Sequence, residues 1–443
     1  MSTHSERARQ WVHVGSSVFA LLLRGLTWPQ AALLAVAALA FNAFVLPRLG
    51  GRQLYRPADH ARGFPVGILL YPVAVLLLIL FFRTRRDLVA AAWGILAFGD
   101  GMATLVGHRV RGARLRWNGD KSVAGTLAFL VCGGAAGMAF ALWVRPAIAP
   151  PPSLAFAIIA PLAAAVAAAL VESIPVRLDD NISVPVAAAV VLWAASHLDA
   201  TAWSASRAAV IASLPLAIAF NVVVAYLGFR AKTVSISGMI GGAVVGIVIY
   251  ACGGAGAWAL LFLTFAAATI SSRAGLARKT RLGIAEEKGG RRGAGNAFAN
   301  CGVAALASVL AVATPWRAEA LLALTAALVA GGSDTVASEI GKAWGRRTFL
   351  VTSLARVAPG TPGAVSLEGT LAGLASAAVL AAIAIALGLV GGRMIVAVIV
   401  AATAGALVES ALGATLEGPG ILNNDMLNFI NTGVAAVTVL WLA

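Results

Sequence analysis

The chain has 443 residues, of which 60% are hydrophobic and only 12% are charged, with a mean hydropathy of +0.89. Soluble domains carry about 25% charged residues, so this composition excludes a soluble globular protein and indicates a polytopic membrane protein. The net charge of +15 comes from 33 Lys and Arg against 18 Asp and Glu. The positive residues cluster between apolar stretches, as positive-inside topology requires, and no nucleic-acid-binding module is present.

Apolar stretches follow one another along the whole chain, and each transmembrane helix needs about 20 residues. We therefore predict an all-α fold with about twelve to fifteen transmembrane helices. The polar N-terminus, 1–10, lacks a small-residue cleavage site, so we expect no removable signal peptide. The predicted helices include residues 64–82, 88–107, 123–144, 154–171, 208–229, 257–270, 297–314, 372–390 and 429–442.

Polar residues interrupt the apolar sequence of the first half at a few positions. An acidic residue follows a glycine, a Lys-Ser pair and a Gly-Thr step come next, and a Glu-Ser pair and an acidic cluster complete the series. In chain order these are Asp100, Lys121, Ser122, Gly125, Thr126, Glu172, Asp179, Asp180 and Asn181.

A similar order of polar residues recurs in the second half, with different spacings. In chain order these are Asp334, Glu339, Lys342, Glu368, Gly369, Thr370, Glu409, Asn424 and Asp425. A recurring order with altered spacing predicts two related membrane modules, residues 1–203 and 204–443. Each module is predicted to contain one polar site.

The acidic residues of these two series are candidates for catalysis. A charged side chain at the centre of a membrane helix costs roughly 2.5–3.5 kcal/mol on insertion scales, so such residues usually face a cavity and have a function. Phosphoryl or nucleotidyl transfer needs carboxylates that hold Mg²⁺, cations near the phosphates and a base for the acceptor hydroxyl. We predict that Asp100 and Glu172, and in the second half Asp334 and Glu409, bind the metal.

Structural explanations exist for several of these residues. Asp120 and Lys121 form a loop ion pair in one such interpretation, and Glu339 and Lys342 form an i,i+3 helix pair. Residues 119–122 lack the spacing of a P-loop and a preceding strand, which excludes that motif. The alternative for the whole pattern is a secondary transporter, because duplicated helical modules with carboxylates at the midplane describe that class too.

The first half resembles the phytol kinase branch of the dolichol/phytol kinase family over most of residues 9–195. The resemblance is carried by residues 99–103, by the Lys-Ser-x-x-Gly-Thr segment at 121–126 and by 171–185. It implies CTP-dependent phosphorylation of an isoprenoid alcohol with a divalent metal.

The second half is similar to the membrane family that includes plant phytyl-phosphate kinase, over most of residues 208–443. The supporting segments are 279–281, 289–292, 296–300, 334–341, 359–370 and 409–424. Two departures are Cys301 and Ser333, where a small residue and alanine are expected. Neither departure removes a charged group.

Together the two resemblances imply one bifunctional membrane kinase of isoprenoid salvage, with both active sites facing the cytosol. The first module would convert a prenol to its monophosphate, and the second would convert the monophosphate to the diphosphate, with CTP as donor and Mg²⁺ as cofactor. The predicted catalytic residues are Asp100, Lys121, Glu172, Asp180, Asn181, Asp334, Glu339, Glu368, Glu409 and Asn424. The predicted nucleotide-binding residues are Ser122, Gly125, Thr126, Lys279, Arg281, Arg291, Arg292, Asn296, Asn300, Gly369 and Thr370.

A second enzyme class fits the same motifs. Membrane cytidylyltransferases that make CDP-activated lipids share acidic, Gly-Thr-rich segments. They differ in the bond that breaks, because attack at the α-phosphate releases pyrophosphate and attack at the γ-phosphate releases CDP.

Overall fold

The computed structural model describes residues 3–49, 55, 59, 64–110, 112–284 and 291–443. The chain divides into two compact units, Met1–His197 and Leu198–Ala443. The predicted boundary after residue 203 lies inside a helix that begins at Ala200, so the unit boundary falls slightly earlier in the chain. Residues 285–290, part of the predicted basic loop of the second module, lie outside the described residues.

The first unit is helical apart from one small hairpin. Its elements in chain order are α1 (Thr3–Ser16), α2 (Trp28–Ala40), α3 (Val66–Phe81), α4 (Arg86–Gly94), α5 (Gly101–Arg109), β1 (Arg114–Leu115), β2 (Asn118–Ser122), α6 (Val123–Ala128), α7 (Gly134–Val144), α8 (Leu154–Glu172) and α9 (Asp180–Ser196). A π-helical segment, Ile95–Asp100, joins α4 to α5, and another, Phe129–Gly133, joins α6 to α7.

The second unit has the same character, with one small three-stranded sheet. Its elements are α10 (Ala200–Arg230), α11 (Ile236–Val248), α12 (Gly254–Arg273), α13 (Leu276–Arg281), α14 (Ala294–Ala313), α15 (Arg317–Trp344), β3 (Thr348–Leu350), β4 (Arg356–Val357), β5 (Ala364–Ser366), α16 (Leu367–Ala386), α17 (Ile395–Leu412) and α18 (Asn424–Leu442). The strand order is β4-β3-β5, and both pairings are antiparallel.

The helical membrane architecture predicted from the sequence is confirmed. Among the described residues, eleven helices are long and apolar enough to cross a membrane. Two shorter apolar helices, Val66–Phe81 and Asp180–Ser196, bring the number into the predicted range. Many of their large apolar side chains are exposed, as expected where a helix faces lipid tails.

One long helical span lies at the centre of each unit. In the first unit this is Arg86–Arg109, with 67% of its apolar window buried, and in the second it is α15, with 72% buried. Their buried positions are mainly small or aliphatic, including the runs 88–92 and 322–332. Small residues let neighbouring helices approach closely in a membrane. Each central span also carries the first acidic residue of its polar series, Asp100 or Asp334.

Candidate active sites

The first site is built around Asp100 at the end of the π-helical segment Ile95–Asp100. Single π-helical turns inside helices often occur at functional sites, because the extra residue re-aims a side chain. The preceding Gly99 has no room for a side chain, since a Cβ there would lie 2.7 Å from the Phe129 ring. On α1, His13 Nε2 lies 3.7 Å from Asp100 Oδ2.

Three carboxylates converge at this site from three parts of the chain. Asp100, Glu172 at the end of α8 and Asp180 at the start of α9 each offer an oxygen, and these oxygens all lie within 4.8 Å of one another. Glu172 is buried, with 4% of its surface exposed. Such an oxygen cluster matches the ligand preference of Mg²⁺. The structure thus brings Asp100, Glu172 and Asp180 together, and their joint role in catalysis stays a prediction.

Lys121 supplies the positive charge of the first site from the end of β2. Its ammonium group donates hydrogen bonds to Glu172 Oε1 and to Asp180 Oδ2, the latter at 3.2 Å. Burial disfavours the charged ammonium, but Asp180 and Glu172 outweigh burial and raise the pKa of Lys121 above 10.5. Lys121 therefore stays cationic beside the carboxylates.

The start of α9 is fixed by a side-chain cap. The carboxylate of Asp179 accepts hydrogen bonds from the backbone amide of Asn181 at 3.0 Å and from its side-chain amide at 2.7 Å. Asn181 Nδ2 also lies 3.3 Å from the Gly67 carbonyl on α3. These contacts fix the turn that carries Asp180 beside Lys121, and the catalytic role of Asn181 stays a prediction.

The second site is a cavity of about 250 Å³ between α15, α16, α17 and the loop that precedes α16. The carboxyl groups of Asp334 and Glu409 both line it and lie close to each other. On α18, Asn431 is fully buried, and its Nδ2 donates to Glu409 Oε2 at 2.8 Å. Two carboxyl groups this close need a proton or a cation between them.

Glu339 lies behind the wall of this cavity. Its Oε2 accepts a hydrogen bond from Lys279, which is 1% exposed, and its Oε1 lies 3.0 Å from Lys342 Nζ. Lys279 also donates to the Ser272 carbonyl at 2.7 Å. Of these side chains only Lys342 lines the cavity. Glu339 thus pairs with both Lys342 and Lys279, and the catalytic role of Glu339 and the nucleotide-binding role of Lys279 stay predictions.

The local geometry repeats between the two sites. Ser122 caps α6 by accepting from the Gly125 amide at 3.1 Å, and Ser366 caps α16 by accepting from the Gly369 amide at 3.1 Å. A Cβ added at Gly107 or at Gly341 would lie 3.1 Å from the capping serine Oγ in its own unit. These glycines follow Asp100 and Asp334 at the same spacing. The two polar sites are thus versions of one arrangement.

The repeat also shows where the units differ. Lys121 precedes Ser122 in the first unit, whereas Val365 precedes Ser366 in the second. The second site takes its cation, Lys342, from the central helix α15 instead. In both units the amide of the predicted Gly-Thr step already donates to its serine cap, so a phosphate contact there would compete with the cap.

The remaining predicted residues lie in several places. Gly369, Thr370 and Asn424 line the carboxylate cavity of the second unit. Three other residues predicted to bind nucleotide, Arg292, Asn296 and Asn300, do not line the carboxylate cavity. They line a second cavity of the same unit. Arg281, Arg291 and Glu368 line neither of these two cavities. The predicted nucleotide-binding residues of the second unit thus lie at more than one place, and their role stays a prediction.

Sequence reasoning missed two residues of the second site. Asn431 lies in a segment that was predicted only as an apolar helix, although a buried amide in such a helix indicates a polar partner. Glu417 lines the cavity from the π-helical turn Gly413–Glu417 after α17. The scarcity of acidic residues in the chain could have pointed to Glu417.

Comparisons with known proteins agree with this membrane architecture. The family described as Integral membrane protein DUF92 matches residues 219–436. An uncharacterized membrane protein of Synechocystis is 39% identical over 197 residues, which cover 44% of this chain and 76% of that protein. The chloroplast protein VTE6 of Arabidopsis thaliana is 32% identical over 234 residues, covering 51% of this chain and 70% of VTE6.

A relative with an enzymatic name covers less of the chain. The Glycine max protein named Probable phytol kinase 3, chloroplastic, is 29% identical over 173 residues, which cover 38% of this chain and 51% of that protein. No solved structure matches the chain at a significant level.

Proposed function

The chain belongs to the DUF92 family of integral membrane proteins, and from this premise we propose that it is an isoprenoid kinase with two active sites. The first unit would phosphorylate an isoprenoid alcohol, and the second would phosphorylate the resulting monophosphate. The donor would be CTP, and both sites would face the cytosol. The similarity to a protein named as a phytol kinase supports the substrate class.

The observation that carries this proposal is the convergence of Asp100, Glu172 and Asp180 with Lys121 in contact with two of them. Kinases need carboxylates that hold the metal of a nucleotide and cations that offset charge on the transferred phosphoryl group. A transporter site needs no such combination of an oxygen cluster and an adjoining ammonium group.

The donor chemistry of both sites fits a divalent cation, because each offers carboxylate oxygens close together. Asp100, Glu172 and Asp180 would hold it in the first unit, and Asp334 and Glu409 in the second. When bound, Mg²⁺ neutralises charge on the phosphates of the nucleotide. A carboxylate of each site would orient the acceptor oxygen, while Lys121 or Lys342 would contact the transferred phosphoryl group.

The two units differ in a way that supports different acceptors. The first site keeps Lys121 paired to carboxylates, which suits a neutral alcohol acceptor. The second site has the larger polar loop region between β3 and α16, and its Lys342, which pairs with Glu339 at 3.0 Å, lines the carboxylate cavity. That arrangement suits an acceptor that is itself an anion.

The test is phosphate transfer by the purified full chain from radiolabelled CTP to farnesol and to farnesyl monophosphate. Asp100→Asn should abolish formation of monophosphate and leave diphosphate formation from added monophosphate intact. Asp334→Asn should do the reverse. If both variants keep both activities, the assignment of sites is wrong.

The leaving group separates kinase from cytidylyltransferase chemistry. Release of CDP is expected, because the attack would occur at the γ-phosphate. Release of pyrophosphate would replace the proposal with the synthesis of a CDP-activated lipid.

A further inference from the structure

The second unit contains another cavity, of about 140 Å³, in addition to the carboxylate cavity. Gly331 of α15 lines this cavity, whereas Ser333 and Asp334 line the carboxylate cavity. Its other walls come from α10, α11, α12 and α14 and are mainly apolar. They include Val224, Val245, Trp258, Leu261, Phe262 and Phe265.

Two polar side-chain atoms in this apolar cavity lack hydrogen-bond partners. Thr264 and Asn300 line it, are 7% and 9% exposed, and their Oγ1 and Oδ1 atoms are buried without a partner. Asn300 Nδ2 donates to the Asn296 carbonyl at 3.0 Å, which fixes the amide so that Oδ1 is the free atom. An unsatisfied buried polar atom costs about 1–3 kcal/mol. A ligand with a polar end would remove that cost.

The chemistry of the free atoms selects the ligand. An amide oxygen only accepts hydrogen bonds, so the ligand must carry a donor. The surrounding apolar and aromatic walls require a hydrocarbon chain. Arg292 also lines the cavity; its guanidinium donates to Ser272 Oγ at 3.3 Å and has further N–H donors. A fully ionised phosphate has acceptors only, so an alcohol satisfies Asn300 better than a monophosphate does.

We propose that this cavity binds an isoprenoid alcohol, with its chain against Trp258 and Phe262 and its hydroxyl donating to Asn300 Oδ1. The choice of an isoprenoid chain rests on the proposed function. Asp334 and Glu409 are not among the residues that line this cavity, so we assign it to binding of the alcohol and not to its phosphorylation. The second unit thereby keeps the alcohol, which is the substrate of the proposed first reaction, bound to the same protein.

The experiment is photolabelling of the purified full chain with a diazirine analogue of farnesol, without nucleotide. Besides peptides of the first unit, where the proposed kinase site takes the same alcohol, labelled peptides should fall within residues 221–301. Farnesol should compete about tenfold better than farnesyl methyl ether, which has the same chain but no hydroxyl donor. Equal competition by alcohol and ether would mean that the cavity takes up apolar chains only, and would overturn the proposal.

Variants test the named contacts. Asn300→Leu should bring the alcohol-to-ether ratio close to one, and Thr264→Val, which keeps the side-chain shape, should lower it. Gly242→Leu should fill the cavity and reduce labelling, because a Cβ at Gly242 meets nothing within 4 Å. Val244→Leu is the matched control, since Val244 lies on the exposed side of the same helix, α11. Full labelling of Gly242→Leu would contradict the proposed location.

Kinase activity is measured separately on the same preparations. Labelling of the second unit without phosphate transfer would preserve this inference and remove the proposed function. Phosphate transfer with labelling confined to residues 1–197 would do the opposite.

Discussion

The buried amide of Asn431 is the contact that fixes Glu409 in the second site. Its Nδ2 donates to one oxygen of Glu409 at 2.8 Å, and Glu409 lies beside Asp334. Residues that orient a metal ligand typically change metal affinity by about 10–100-fold when they are replaced. Glu409 therefore depends on α18 for its position, although it lies on α17.

We expect Asn431→Leu to raise the Mg²⁺ concentration needed for diphosphate formation by about 10–100-fold. The first reaction should be unaffected, because Asn431 lies in the second unit. Titration of both reactions with Mg²⁺ checks this, and the first reaction serves as an internal control. An unchanged Mg²⁺ requirement would show that Glu409 is not a metal ligand.

The pKa of Lys121 leads to a prediction about pH. Burial lowers this pKa, but Asp180 and Glu172 raise it to a net value above 10.5. Because the folded-state pKa is raised, the ion pairing is complete below the unfolded-state value of about 10.4 and is lost only as pH rises through the folded value. Lys121 should therefore remain charged at every pH at which the enzyme is assayed.

Formation of monophosphate should show no basic decline caused by Lys121 up to about pH 9. Lys121→Arg should give the same pH profile, whereas Lys121→Met should lower the rate at all pH values. The rate profile from pH 6 to 9 is the measurement, with diphosphate formation as the control. A basic limb that Lys121→Arg removes would contradict this assignment.

Part of each site could be predicted from the sequence and part could not. Asp100, Glu172, Asp334 and Glu409 were identifiable because carboxylates are scarce and costly in apolar helices. The roles of the basic residues were not, because Lys279 and Arg292 occupy the same basic segment yet reach different surroundings. Lys279 is buried against Glu339, whereas Arg292 borders the apolar cavity. Only the packing of α13 and α14 distinguishes them.

At the scale of elements, each site depends on a strand that ends in a helix cap. Strand β2 ends at Ser122 and β5 ends at Ser366, and each serine begins the next helix by accepting a glycine amide. Gly125 and Gly369 let this first turn lie against the central helix. A Cβ at Gly125 would lie 2.9 Å from the Ala103 carbonyl, and one at Gly369 would lie 2.6 Å from the Ala337 carbonyl.

Removing the Ser366 cap should destabilise the second unit by about 1 kcal/mol. We expect Ser366→Ala to lower the temperature of unfolding and to reduce diphosphate formation, because the start of α16 borders the carboxylate cavity. Ser153→Ala is a matched control, since Ser153 caps α8 by accepting from Phe156 but lies far along the helix from Glu172. Equal loss of diphosphate formation in the two variants would show a general effect of stability.

The prediction of an all-α fold did not include the short strands. Residues 118–122 read Asn-Gly-Asp-Lys-Ser, which has no apolar alternation, so strand periodicity gives no signal there. Pairing in the hairpin comes from tertiary placement, including Asn118 Nδ2, which donates to the Ser173 carbonyl at 3.1 Å. Such a contact joins residues far apart in the chain and cannot be read from local pattern.

At the scale of the whole molecule, two complete polar sites in one chain raise the question of how the intermediate moves. If each unit works independently, a chain that lacks the first activity can use monophosphate released by another. We expect a mixture of Asp100→Asn and Asp334→Asn proteins in the same vesicles to restore conversion of farnesol to the diphosphate. Neither variant alone should do so.

The measured quantity is the ratio of diphosphate to monophosphate, followed while the proteins are diluted with increasing amounts of lipid in the vesicles. Restoration to the wild-type ratio would establish exchange through the bilayer. No restoration, with each single activity intact, would mean that the intermediate passes directly within one chain.

The buried central helix α15 has a consequence for how the protein is made. Arg317–Trp344 has a mean hydropathy of 1.5, against 2.6 for Leu154–Glu172, and it carries Asp334, Glu339 and Lys342. Charged residues oppose the entry of an isolated segment from the translocon into lipid. Insertion of the second unit should thus require the later helices α16 to α18 to pack against α15 and cover its charged residues during synthesis. Substitutions on the faces of α16 to α18 that shelter it would then reduce the yield of inserted protein before they change any rate constant.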